Sequence, residues 1–159
     1  MLKKWFPLLF IIILTCSLSI AGDKAKTLES FKHSDFVKKY PQSRPFESSQ
    51  VRDGSQSNVF EFDLKINPHS KIMLEAVSRG FFIEKYWMLF HSSYLSKMDD
   101  FLKDFCLALD PGFKTKEVIG FIKKTASKKN TEGSKNFGQY RVIVKNRMNA
   151  VTLSFINLP

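Results

Sequence analysis

Between residues 59 and 66 the chain alternates without a break, with Phe60, Phe62, Leu64 and Ile66 on one side and Glu61, Asp63 and Lys65 on the other. A period of two fits only a strand that is buried on one face and wet on the other. This segment therefore demands a sheet and a layer to cover its apolar face. Residues 81–90 carry only Glu84 and Lys85 as charges and read as a central strand covered on both sides. In residues 72–77, Ile72, Leu74 and Ala76 alternate, which favours a strand, although Ser70 would also cap a short helix ending at Gly80. Residues 140–145 and 150–156 form a hairpin around Asn146-Arg147-Met148-Asn149, with Tyr140, Val142 and Val144 on one face.

Between these strands the period changes. Tyr94, Leu95, Met98, Phe101, Leu102, Phe105 and Leu109 recur at helical spacing, with Ser92 or Ser93 as cap and Asp110-Pro111-Gly112 as stop. A second helix over residues 116–128 buries Val118, Ile119, Ile122 and Ala126 behind a Thr115 cap. A short helix over residues 34–40 starts at Ser34 and stops at Pro41. Residues 41–57 and 130–136 are polar and read as a loop or tether and as a loop. The expected fold is α+β: a small antiparallel sheet of about five strands with two consecutive helices packed on one face, preceded by an N-terminal helix and a tether.

The N-terminus carries a different instruction. Lys3 and Lys4 precede an apolar stretch, residues 5–16, broken only by Pro7 and Thr15. That length suits the core of a secretory signal and falls short of the ~20 residues a membrane span needs. Ser19 and Ala21 supply small residues for cleavage after Ala21, and polarity begins at once with Gly22-Asp23-Lys24. Two alternatives are a lipoprotein acylated at Cys16 and an uncleaved anchor; Thr15 is a poor neighbour for the first, and the short core argues against the second. The expected organisation is a signal peptide at 1–21, an N-terminal helix and polar tether at 22–57, and one α+β domain at 58–159. Cleavage leaves Cys106 as the sole cysteine, on an apolar helix stripe and so expected to be a buried thiol. With no intrachain disulfide and much lysine, a bacterial envelope or secreted (periplasmic or extracellular) location is expected.

Catalytic motifs are missing from the sequence. His33, His69 and His91 stand far apart, no close-spaced zinc set exists, and there is no GxSxG, SxxK, GxGxxG or phosphate-cradling lysine loop. No metal or cofactor is expected. Asp99, Asp100 and Asp104 cluster on the first long helix and read as its solvated face. Charge is the informative feature. Residues 22–112 hold 13 basic and 13 acidic side chains, whereas residues 113–149 hold 10 basic ones against Glu117 and Glu132 alone. Such asymmetry points to an anionic partner. The candidate contacts are Lys116, Lys123, Lys124, Lys128, Lys129, Lys135, Arg141, Lys145 and Arg147, with Phe137 and Tyr140 interleaved as stacking aromatics.

The expected function is therefore that of an exported, non-enzymatic binding protein whose basic segment engages an anionic polymer, a lipid headgroup or an acidic protein. Export disfavours nucleic acid. A second reading is a protein–protein module (an inhibitor, immunity or assembly accessory protein) anchored by Phe81-Phe82, Tyr86-Trp87 or Phe137. A third is an enzyme of unfamiliar type built on His69 or His91 with a nearby carboxylate.

Overall fold

The computed structural model describes residues 27–40, 42–51, 53–64 and 70–159. The N-terminal segment with Cys16 and its cleavage position, Pro41, and residues 65–69 with the His69 turn lie outside the described residues. The elements run α1 (Leu28–Lys32), α2 (Asp35–Lys39), β1 (Glu47–Gln50), β2 (Gln56–Asp63), β3 (Lys71–Arg79) and β4 (Phe82–His91). A 3-10 helix (Ser92–Lys97) then leads to α3 (Asp99–Leu109), α4 (Thr115–Ala126), β5 (Thr131–Phe137), β6 (Tyr140–Arg147) and β7 (Ala150–Asn157).

The strands form one antiparallel sheet of seven in the order β1-β2-β3-β4-β7-β6-β5. This corrects the expected small sheet of about five strands. The two unforeseen strands are the edges. All four residues of β1 are exposed, and β5 buries only Phe137. β1 has no buried face to alternate, and on β5 the helix is met by Gly133 and the partly covered Thr131, with Phe137 the one buried side chain, so both sequences resemble those of loops. β1 lies within the stretch read as a tether, and all of β5 but Phe137 within the stretch read as a polar loop.

The inner face of the sheet carries continuous rows of side chains, of which Phe60, Leu74, Met88, Leu153 and Val144 form one and Ala76, Tyr86, Phe155 and Val142 another. All are buried. Phe101, Leu102, Phe105, Cys106 and Leu109 of α3 and Val118, Ile122 and Ala126 of α4 are buried in the same core. Phe31 and Phe36 bring α1 and α2 into it as well: Phe31 lies 5.0 Å from the Tyr86 ring, and Phe36 lies 5.4 Å from Phe105. Among the described residues the opposite face has no such layer. Trp87 and Leu89 of β4 are half-buried there, so the strand expected to be covered on both sides is covered on one.

Local chemistry sets the connections. The hairpin expected around four residues turns in two, Met148 and Asn149, at φ of 49° and 65°. Positive φ at both central residues matches the twist of the flanking strands. Gly138 (φ 57°) opens the two-residue turn between β5 and β6. The helix expected over residues 94–109 is broken at Met98, whose φ/ψ of −99°/5° separates the 3-10 turn from α3. His91, not Ser92 or Ser93, caps that turn, its Nδ1 accepting from the Ser93 N–H at 3.3 Å. Thr115 is the first residue of α4 and not its cap, a position held by Lys114.

Candidate functional site

The strand register divides the basic segment in two. Alternate residues of β6 point to opposite faces, and Tyr140, Val142, Val144 and Asn146 occupy the inner one. Arg141, Lys145 and Arg147 therefore project on the open face of the sheet. Lys145 reaches Glu132 across the strand pair at 3.1 Å, and Arg141 donates to Ser134 Oγ at 3.4 Å. The α4 lysines lie on the helix-covered side, where Lys135 joins them as the edge residue of the Ala76–Tyr86–Phe155–Val142 row. The nine cations thus make two groups separated by the thickness of the sheet, not one continuous surface.

Within the helix-side group, position on α4 decides availability. Lys123 faces α3 and donates to Asp99 Oδ2 at 2.7 Å. Lys124 on α4 and Lys128 just past its end lie beside β5 and, with Lys116, Lys129 and Lys135, make no ion pair among the described residues. Between that flank and β5 runs a crease of two shallow depressions. One, of about 300 Å³, is lined by Phe121, Lys124, Lys128 and Glu132; the other, of about 280 Å³, by Phe113, Lys114, Glu117 and Lys135. Lys135 Nζ sits 5.0 Å from the centre of the Phe137 ring.

The two aromatics expected to stack on a ligand are not available. Phe137 is 7% and Tyr140 2% exposed. Phe137 packs on Phe121 at 5.7 Å, and Tyr140 on Phe113 at 5.4 Å. Burial also pushes the Tyr140 hydroxyl above its ordinary value. The physical reason is the inner-face register: the closing pair Phe137–Tyr140 of the β5–β6 turn points at α4. Of the other aromatics considered as anchors, Tyr86 is buried and Trp87 half-buried, while Phe81 and Phe82 at the β3–β4 tip are 82% and 55% exposed.

Residues with no evident sequence signal hold the crease in place. Thr131 Oγ1 donates to the carbonyls of Thr125 and Lys128 at 2.7 and 2.8 Å. Asn146 Nδ2, buried beneath the helix end, donates to the carbonyls of Ala126 and Lys128 at 2.6 and 3.2 Å. Together they supply donors to the carbonyls of Thr125 and Ala126 at the end of α4 and of Lys128 just beyond it, while Ser127 Oγ serves that of Lys124. Gly133 admits the helix: a Cβ there would stand 3.0 Å from Thr125 Cγ2.

Asp99, Asp104 and His91 have structural partners, while Asp100 is exposed. Asp99 pairs with Lys123, and Asp104 accepts from Lys39 Nζ at 2.6 Å and Tyr40 Oη at 2.7 Å, which ties α2 to α3. Burial would raise the Asp104 pKa, but the hydrogen bonds from Lys39 and Tyr40 outweigh it and hold the carboxyl below its usual range. His91 Nδ1 also lies 2.7 Å from Ser93 Oγ. Cys106 is fully buried, and burial pushes its thiol up to about 12. Among the described residues no cluster of three or more His, Cys, Asp or Glu could hold a metal, and no helix is long and apolar enough to cross a membrane. Set against protein-family models, curated proteins and solved structures, the chain finds no match in any of the three.

Proposed function

We propose that this is an exported, non-enzymatic binding protein that engages an anionic partner through the crease between α4 and β5. One observation carries the reading: Lys124 and Lys128 line one depression of the crease and Lys135 the other, and these three, like the neighbouring Lys129, have no carboxylate paired to them among the described residues. Unpaired surface cations on a fixed scaffold attract polyanions with little reorganisation, and the attraction weakens with salt. The residues 1–21, with their basic start and short apolar core, supply the export step. The test is retention on heparin and on anionic vesicles across a salt series. Changing Lys124, Lys128, Lys129 and Lys135 to Glu should abolish salt-sensitive retention, whereas changing Arg141 and Arg147 to Glu should reduce it little. The opposite pattern would move the site to the open face of the sheet.

A second reading, recognition of a protein through exposed aromatics, is favoured by the exposure of Phe81 and Phe82 at one tip. A photo-crosslinking side chain at position 81 would then yield a discrete adduct in the producing cell. A uniform background would dismiss it.

A further inference from the structure

We infer that the crease takes an extended acidic peptide, which adds to β5 as an eighth strand. The inference rests on the reading above and specifies the partner. It starts from which backbone groups β5 leaves open. Phe137 and Tyr140 flank a two-residue turn, so they are a hydrogen-bonded pair, and so are Lys135–Val142, Gly133–Val144 and Thr131–Asn146. The other side of β6 gives the same phase independently. Arg147 and Ala150 flank the next two-residue turn, which commits the alternate residues of β6 to β7. The N–H and C=O groups of Glu132, Ser134 and Asn136 therefore point away from the sheet. Among the described residues, no backbone hydrogen bond outside the strand ladder uses them. The edge is seven residues long; the opposite edge, β1, has four.

Charge complementarity selects the occupant. A strand laid on this edge places every second side chain on the helix side, beside Lys124, Lys128 and Lys135, and the others on the open face beside Glu132, Ser134 and Asn136. Carboxylates at alternate positions meet the lysines, while the intervening positions favour neutral side chains. Main-chain pairing supplies affinity, and the lysine margin supplies selectivity. A second copy of this chain fits poorly, because pairing β5 with β5 would bring the two lysine margins together. A polysaccharide or a phosphate polymer lacks the peptide groups that would satisfy the edge.

The test uses the purified protein and a labelled peptide of about eight alternating glutamate and valine residues, read by fluorescence polarisation. Two further peptides carry N-methyl groups on one or the other alternate set of backbone nitrogens, which removes donors without altering charge. The expected result is at least a tenfold loss of affinity for one methylated set and near-normal binding for the other. Ser134→Pro, which removes an outward N–H and spares the ladder to β6, should weaken the unmethylated peptide as much while leaving heparin retention intact. The peptide arm needs no variant, so a misfolded Ser134→Pro protein does not blunt the test. Equal binding of all three peptides would overturn strand addition and leave a simple anion site. Absence of binding to any of the peptides and to heparin would overturn the functional reading itself. Dimerisation abolished by Ser134→Pro would show that the edge belongs to a second copy, and would also overturn the inference.

Discussion

The N-terminal helices offer a sharp test of how this fold is held together. α1 and α2 have five residues each, far below the ~12–15 at which an isolated helix becomes marginally stable in water. They persist because of what they bury. Phe31 is fully buried, with the rings of Tyr86, Phe60, Phe36 and Phe105 at 5.0, 5.5, 6.0 and 6.3 Å. A phenylalanine that hides ~150–250 Å² at ~25 cal/mol/Å² contributes at most about 4–6 kcal/mol. Phe→Ala changes in cores cost about 3–5 kcal/mol. Phe31→Ala should therefore remove about 4 kcal/mol and, with a urea slope of about 2 kcal/mol/M, lower the unfolding midpoint by about 2 M. Phe81→Ala, at a position 82% exposed, is the control and should stay within about 0.5 kcal/mol of the parent. A Phe31→Ala midpoint within about 0.5 M of the parent at unchanged slope would refute the reasoning. It would mean that the sheet, α3 and α4 are stable without the N-terminal helices.

Three further outcomes follow from contacts described above. Asn146→Ala should cost about 1–3 kcal/mol in chemical denaturation, since it strips the donor from the buried carbonyl of Ala126 and one of two from the partly buried carbonyl of Lys128; a change below about 0.5 kcal/mol would remove its capping role. Asp104, held below the usual carboxylate range, contributes stability that is fully present above that range and is lost as pH falls through its lowered value. Asp104→Asn should consequently flatten the acid side of a stability–pH curve measured from about pH 7 to about pH 3, and an unchanged acid limb would contradict this. Cys106, with its thiol pushed up to about 12 by burial, should resist iodoacetamide at neutral pH in the folded protein and react once urea unfolds it. Modification of the native protein at the unfolded rate would place the thiol at the surface.

Those parts of the fold whose side chains divide into a wet and a dry face were legible from sequence alone. β2, β3, β6 and β7 alternate because one face packs on helices, and α3 and α4 carry stripes because they lie on that face. β1 and β5 left no such mark: all four residues of β1 are exposed, and on β5 the helix side is lined by Thr131, Gly133 and Lys135, with Phe137 the one apolar side chain buried there. The lysines of the site were visible as a composition bias, but their division was not. It depends on the phase of β6, which places Arg141 and Lys145 opposite the helices, and on the angular position that gives Lys123 to Asp99. Tyr140 carried a usable signal, because it shares the alternation of Val142 and Val144 and so belonged to the core. Phe137 lay between the stretch read as a loop, residues 130–136, and the strand expected from Tyr140, in no assigned element and so without a phase. Gly133 and Asn146 matter through close approach and a buried amide, and neither follows from local pattern.

The strand order has a consequence for how the chain reaches this state. Every pairing in the sheet joins neighbours along the chain except one, β4 with β7, whose partners lie about 60–70 residues apart. The molecule is therefore two meanders, β1–β4 and β5–β7, joined along a single seam. Each meander pairs strands separated by two to seven residues, which close at microsecond speed, whereas the seam must wait for α3, α4 and the second meander to be in place. Until then β4 presents its whole ten-residue flank, rich in apolar side chains, as an unsatisfied template. The slowest step of folding and the greatest risk of misassembly between chains coincide at that seam.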